Sequence, residues 1–269
     1  MSKKKNIERV NNAVSSYYLK VMEYGIALLL ILVSFVIVVD VNDNTILKST
    51  ILFIGGGFLL SFWMFVQLKQ GFIQWSVQKF YLPMLLYFGV CSVSLTQSQN
   101  LVLSFNALMQ FFIIIIATLI TSQVLNENIN APKKLIHILL FILAGSCVAG
   151  IILQMYSGVS FTIIADYSRQ LISTFGNSAY FGGFLALMIP FMIGQIFASS
   201  SNNKKILLSA LALFSLLMLV FTRTRSAWLA TAISSIIFVF LAFPRNKKII
   251  LYFIGGCVLL LVADMMFFH

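Results

Sequence analysis

Apolar residues in this chain come in long runs separated by short polar breaks. Nine runs stand out, near residues 22–39, 47–68, 80–96, 101–121, 135–156, 179–198, 206–222, 226–243 and 249–267. Each approaches the ~20 residues that a helix needs to cross a hydrocarbon layer. A helix also satisfies its own backbone hydrogen bonds, which lipid cannot do for it. The pattern predicts an all-α, polytopic integral membrane protein with about nine transmembrane helices in a single multi-helix domain spanning 1–269. The first run is followed by Asp40-Val41-Asn42-Asp43, not by a small-residue cleavage site. It therefore reads as a retained helix and not as a signal peptide.

Composition agrees with this pattern. Of the 269 residues 60% are hydrophobic, and the mean hydropathy is +0.99. A soluble domain of that length cannot bury so much apolar surface, so lipid is the expected solvent and soluble-enzyme readings drop out.

The formal charge of +11 raises the question of nucleic acid, but its distribution answers otherwise. The basic N-terminal segment 1–21 carries Lys3, Lys4, Lys5, Arg9 and Lys20 and is placed in the cytoplasm. With helices alternating from there, Lys69, Lys79, Lys133, Lys134, Lys204, Lys205, Arg245, Lys247 and Lys248 fall on the same side. Only Lys48, Arg169, Arg223 and Arg225 fall outside, matched in number by Asp40, Asp43, Asp166 and Asp264. The whole net charge is thus cytoplasmic, and orientation together with anionic-lipid contact accounts for it. The C-terminus is expected outside, the bilayer is the expected partner, and no nucleic acid is called for.

Other motifs narrow the chemistry. Cys91, Cys147 and Cys257 lie far apart within apolar runs and read as small packing residues. No phosphate loop, His-Glu metal pattern or nucleophile elbow occurs, so no metal or cofactor is expected. Phe53 to Leu60 (FIGGGFLL) and Phe253 to Leu260 (FIGGCVLL) match each other. A single octapeptide in so biased a composition supports close helix approach at glycine better than it supports an inverted repeat. His137 sits at an expected interface, as do Trp228, Tyr180 and Trp63 in aromatic belts.

The candidate site lies on the external face. The main external segment, 157–179, is long enough to fold over a bundle and holds Asp166, Tyr167 and Arg169. Phe175-Gly176-Asn177 reads as a turn into a helix, with Asn177 or Ser178 as its cap. Basic clusters at Lys204-Lys205 and at Arg245 to Lys248 flank the seventh and eighth helices, which places the intervening turn, with Arg223 and Arg225, outside. One external arginine ordinarily marks a helix end or snorkels. Arg169, Arg223 and Arg225 together suggest an anion site, since guanidinium groups stay charged and suit phosphate. On a regular helix Arg223 and Arg225 would point apart, so they converge only if the turn is irregular or if one of them pairs with Asp166.

Ser173-Thr174-Phe175-Gly176-Asn177-Ser178-Ala179-Tyr180, continuing through Phe181-Gly182-Gly183-Phe184-Leu185-Ala186 to Pro190, resembles the TFGNPNYLAAFLAL signature of the O-antigen ligase and polymerase family. Thr222 to Leu229 resembles the same family's SRGAWL element. The chain departs at Ser178-Ala179, where the family has Pro-Asn, and at Ser226-Ala227, where it has Gly. Residues 173–229 hold these core elements; elsewhere the match is to generic membrane helices. The resemblance implies a transferase that moves a glycan from an undecaprenyl-diphosphate carrier to an acceptor hydroxyl at the outer face of a bacterial plasma membrane. Other envelope-polysaccharide assembly proteins would be its partners. Arg169, Arg223 and Arg225 would bind the diphosphate, and Asn177 and Tyr180 would shape the start of helix six. The family's large external loop is not in this sequence, so the resemblance implies an N-terminal portion. The catalytic base stays unassigned; Asp166, Tyr167, Asp264 and His269 are the nearby groups. An inactive or accessory membrane scaffold and a transporter or flippase of lipid-linked saccharides are the competing readings.

Overall fold

A computed structural model describes the backbone of residues 2–37, 45–70, 78–156 and 170–242, and the side chains within 17–37, 46–69, 78–156 and 170–242. The described residues form eight α-helices and no strand. These are α1 (Ser2–Phe35), α2 (Thr45–Gln70), α3 (Tyr81–Ser94), α4 (Leu101–Glu127), α5 (Ala131–Tyr156), α6 (Ser178–Ala198), α7 (Asn202–Thr222) and α8 (Arg225–Ala242). Seven contain stretches long and apolar enough to span a membrane: Tyr17–Phe35, Ile46–Lys69, Leu101–Glu127, Ala131–Tyr156, Ser178–Ala198, Asn202–Thr222 and Arg225–Ala242. With the 3-10 turn Leu95–Gln97 that follows it, α3 makes a shorter apolar helix. The architecture is that of a multi-pass membrane protein. The expected run 249–267 lies outside the described residues.

Several helices begin or end a few residues beyond their apolar runs. Asn202, Asn203, Lys204 and Lys205 form the first turn of α7, and α4 continues to Glu127. Hydropathy marks where hydrocarbon ends, whereas the hydrogen-bond ladder continues into water as long as propensity allows.

The chain divides into two compact units, and α5 contributes residues 131–139 to the first and 140–156 to the second. In the first unit α1, α2 and α4 pack on one another, and α3 packs on α4. Tyr18, Met22, Ile26 and Leu29 recur at helical spacing and give α1 one buried face, against Leu59, Val66, Ile120 and Val124. Contact between α1 and α2 is reciprocal. A Cβ on Gly25 would lie 2.6 Å from Leu59 Cδ2, and one on Gly55 would lie 2.5 Å from Leu29 Cδ1. Each helix thus offers a glycine and, four residues on, a leucine that covers its partner's glycine. Gly56 does the same for α4, where Ile113 Cγ2 would be 2.8 Å away. The FIGGG stretch is therefore a packing device, because lipid tails are as apolar as leucine and association rests on close fit.

Polar groups tie one end of this unit together. Glu23 accepts hydrogen bonds from Lys134 Nζ at 2.7 Å and from Asn128 Nδ2 at 3.1 Å. Trp63 Nε1 donates to Gln123 at 2.9 Å, and Tyr81 pairs with Ser122. At the opposite end Lys48 Nζ donates to the carbonyl of Ser34. Glu23 and Lys134 thus lie at one end of this unit and Lys48 at the other.

In the second unit α6 is central, packed on both α7 and α8. It is apolar nearly all round, and Phe181, Leu185, Met188, Ile189, Pro190 and Met192 are buried. Its neighbours present small residues: Ala212 and Ser215 on α7, and Ala227, Thr231, Ala232 and Ser235 on α8. Small interfacial residues let helix backbones approach where no water drives association. Near the far end of α6, a Cβ on Gly194 would sit 3.0 Å from the Phe238 ring of α8. Since Gly182 meets the first turn of α8, the two helices run side by side in the same direction.

Candidate anion site

The TFGN-like and SRGAWL-like elements meet at one end of the second unit. The first begins with an inserted stretch. Leu171, Ser173 and Thr174 are buried, and Leu171 N–H donates to the carbonyl of Phe221 at 3.1 Å. Ser173 adopts φ 51° and donates its hydroxyl to the carbonyl of Ser146 on α5 at 2.6 Å. A Cβ on Gly150 would already be 3.3 Å from that of Ser173, so α5 closes tightly over the insertion. After the 3-10 turn Ser173–Phe175, Gly176 turns the chain at φ 73°, a conformation open to glycine at little cost. Asn177 then caps α6 by accepting the N–H of Ala179 at 2.8 Å. Ser178, the alternative cap, instead donates its hydroxyl to Gln170. Phe175 stacks on Phe184 at 4.9 Å and on Phe181 at 5.6 Å, which fixes the turn to the first turns of α6.

The second element is an irregular turn. Arg223 ends α7 in the left-handed region, at φ 52° and ψ 25°, and α8 starts two residues later at Arg225. The two arginines thus do not share a helix, and the spacing rule that would point them apart does not apply. A left-handed C-terminal position ordinarily goes to glycine or asparagine. Placing arginine there costs about 1 kcal/mol of backbone strain.

Side chains hold this turn in shape. Leu219 has one of the orphan carbonyls of a helix C-terminus. It accepts the Thr222 hydroxyl at 2.7 Å and the Trp228 indole N–H at 3.0 Å. Trp228 is buried. The interfacial belt expected for it is therefore corrected: the ring packs inside the unit and caps α7 from α8. Its polar edge needs a partner when buried, and the α7 carbonyl supplies one. Trp63 is likewise turned to a partner, Gln123. Tyr180 is exposed, as the belt reading requires.

Gly182 joins the two elements. A Cβ there would stand 2.9 Å from Ala227 Cβ and 3.3 Å from both Thr222 Oγ1 and Thr224 Cβ. The second turn of α6 and the first turn of α8 are therefore in direct contact, with the two helix N-termini at the same end. Each carries partial positive charge. Arg223 is half-buried there and Arg225 exposed, and the stretch 170–242 contains no Asp or Glu. Two helix N-termini together with two guanidinium groups are the elements from which anion sites are built. No group of His, Cys, Asp and Glu able to hold a metal occurs among the described residues.

Asn177, Tyr180, Arg223 and Arg225 thus belong to one end of one unit. Arg169, Asp166, Tyr167, Asp264 and His269 lie outside the described residues. Gly182, Thr222 and the capping role of Trp228 are not evident from sequence pattern alone. The sequence offers only the Gly182-Gly183 pair after the cap and does not say which of the two is in contact. No family model, curated protein or solved structure matches this chain.

Proposed function

We propose that the protein is a glycan ligase- or polymerase-like membrane transferase. Its second unit would hold the diphosphate of an undecaprenyl-diphosphate-linked glycan at the outer face of a bacterial plasma membrane. The observation that carries this reading is the junction at Gly182, which packs the TFGN-like element against the arginine turn and aligns two helix N-termini beside Arg223 and Arg225. The left-handed backbone at Arg223 adds support. An arginine kept where glycine costs less is best explained by a use for its guanidinium.

In the transfer, the glycosyl bond to diphosphate breaks as an acceptor hydroxyl attacks, and negative charge grows on the leaving diphosphate. Guanidinium groups and helix N-termini stabilise that charge. The acceptor hydroxyl also needs a general base, for which Asp166, Tyr167, Asp264 and His269 are the candidates. Donor binding is the part assigned to the described residues.

Arg223→Gly and Arg225→Ala in the full chain, reconstituted in nanodiscs, provide the test. Glycine suits the left-handed position, so Arg223→Gly removes the charge without straining the turn. Each variant should weaken binding of undecaprenyl-diphosphate glycan about tenfold or more, the loss expected for a charge-assisted contact. Thermal unfolding should stay at or above that of the parent for Arg223→Gly. Unchanged binding in both variants would sink the anion site.

A further inference from the structure

The first unit contains a cleft of ligand size, unrelated to the arginine turn. Between α3 and α4 lies an open cleft of about 550 Å³, lined by Tyr87, Cys91, Ser94, Gln97, Ser104 and Phe111 among others. That volume falls in the range of about 300–1,000 Å³ usual for small-molecule sites. Its polarity is graded. Ser94, Gln97, Ser98 and Ser104 gather where α3 ends and α4 begins, and Ser98 Oγ and Ser104 Oγ lie 2.6 Å apart. Ser94 and Gln97 are exposed. Phe111 lies seven residues along α4 from Ser104, or roughly 10 Å at the rise of a helix. There the lining is mostly apolar, with Leu108 buried and the Tyr87 and Phe111 rings edge to face at 5.1 Å, and the Tyr87 hydroxyl and Cys91 thiol hydrogen-bonded to each other.

No lining residue carries a formal charge. Hydroxyls and a carboxamide at the mouth can donate to and accept from other hydroxyls, whereas no side chain there offers a phosphate or an ammonium a counter-charge. The apolar floor continues down the flank of helices whose outer surfaces are otherwise exposed leucine, valine and phenylalanine. An occupant with a polar head and a hydrocarbon tail matches both ends. We infer that the α3–α4 cleft is a binding site for a lipid with an uncharged, hydroxyl-rich headgroup, such as a glycosyl diacylglycerol. Its head would lie against Ser94, Gln97, Ser98 and Ser104, and its chain along Leu108 and Phe111.

Cys91 lines the cleft and is half-exposed, while Cys147 is buried, so Cys91 serves as the reporter. The full chain bearing Cys257→Ser is placed in phosphatidylcholine nanodiscs and treated with a membrane-permeant maleimide. Monoglucosyl diacylglycerol, plain diacylglycerol or phosphatidylglycerol is added at equal mole fraction. The glucosyl lipid should slow Cys91 labelling several-fold and remain on the protein in native mass spectrometry, and the other two should do neither. Ser94→Ala with Gln97→Ala, both at exposed positions, should abolish the protection and the retention. The inference is overturned if the glucosyl lipid neither protects nor remains bound. It is also overturned if plain diacylglycerol or phosphatidylglycerol acts equally, or if the double variant behaves as the parent.

Discussion

In the first unit, Leu59 covers Gly25 and Leu29 covers Gly55; in the second, Gly182 faces the Cβ of Ala227 and the hydroxyl of Thr222. Both are close helix contacts at glycine, but they differ in what stands opposite. The tip of a leucine has rotamers to spare, whereas a Cβ moves only with its backbone. The same contrast runs through the polar groups. Glu23 is satisfied by Asn128 and by Lys134, whose long, exposed side chain can adjust. The arginine turn is held by short, buried contacts: Thr222 and Trp228 on Leu219, and Leu171 on Phe221. Tight fit is thus concentrated where the cationic groups are, and slack is left where the contact serves assembly alone.

Gly182→Ala should break this contrast most severely. The added methyl has no side-chain tip to displace, and overpacking of this kind costs about 1–3 kcal/mol. Because the junction aligns the TFGN-like turn with Arg223 and Arg225, diphosphate binding should fall along with stability. Gly183, next in sequence, has nothing within 4 Å of its added Cβ, so Gly183→Ala should leave both unchanged. Gly25→Ala, which asks only Leu59 to shift, should fall between the two in unfolding temperature. Equal effects at Gly182 and Gly183 would show that the contact of Gly182 with Ala227 and Thr222 is not what constrains the site.

Glu23→Gln sharpens the comparison from the other unit. The Glu23 side chain is 9% exposed and that of Lys134 51% exposed, so the cation can recover water when its partner is neutralised. The loss should be about 1 kcal/mol, nearer the surface-pair than the buried-pair range. Lys134→Met in the same chain should recover part of it, and diphosphate binding should not change. A large drop in binding in Glu23→Gln would contradict the assignment of the anion site to the second unit.

Much of this is legible in the sequence, and the limits of legibility are physical. Apolar run length places the spans because lipid imposes one thickness on every helix, so Ile46–Lys69 and Ser178–Ala198 agree with the expected runs. The cap at Asn177 is legible because its signal is local, a Gly-Asn turn directly before an apolar run. The reciprocal pairs Gly25 with Leu59 and Gly55 with Leu29 are not, since each depends on two helices meeting in one register. The left-handed conformation of Arg223 is hidden because residue type argues against it. The pairing of α3 with α4 around a hydroxyl-lined cleft depends on a splay that no periodicity encodes.

Trp228 departs from its sequence expectation for a related reason, and it supplies the finest test of the tight junction. An amphipathic ring near a helix end suits an interfacial belt and a buried cap equally well in sequence, and only the partner decides. Here the partner is the Leu219 carbonyl, which also keeps the Thr222 hydroxyl. Trp228→Phe retains most of the apolar ring and removes the N–H, so Leu219 is left with one side-chain donor. The expected cost is about 0.5–1.5 kcal/mol, smaller than that at Gly182 because no backbone must move. The α7–α8 turn should loosen locally, so amide exchange at Arg223 and Thr224 should rise while exchange in α1 and α2 stays at the parent level. A belt tryptophan would give the opposite pattern, an unchanged turn with a shifted lipid dependence, and that result would return Trp228 to the interface.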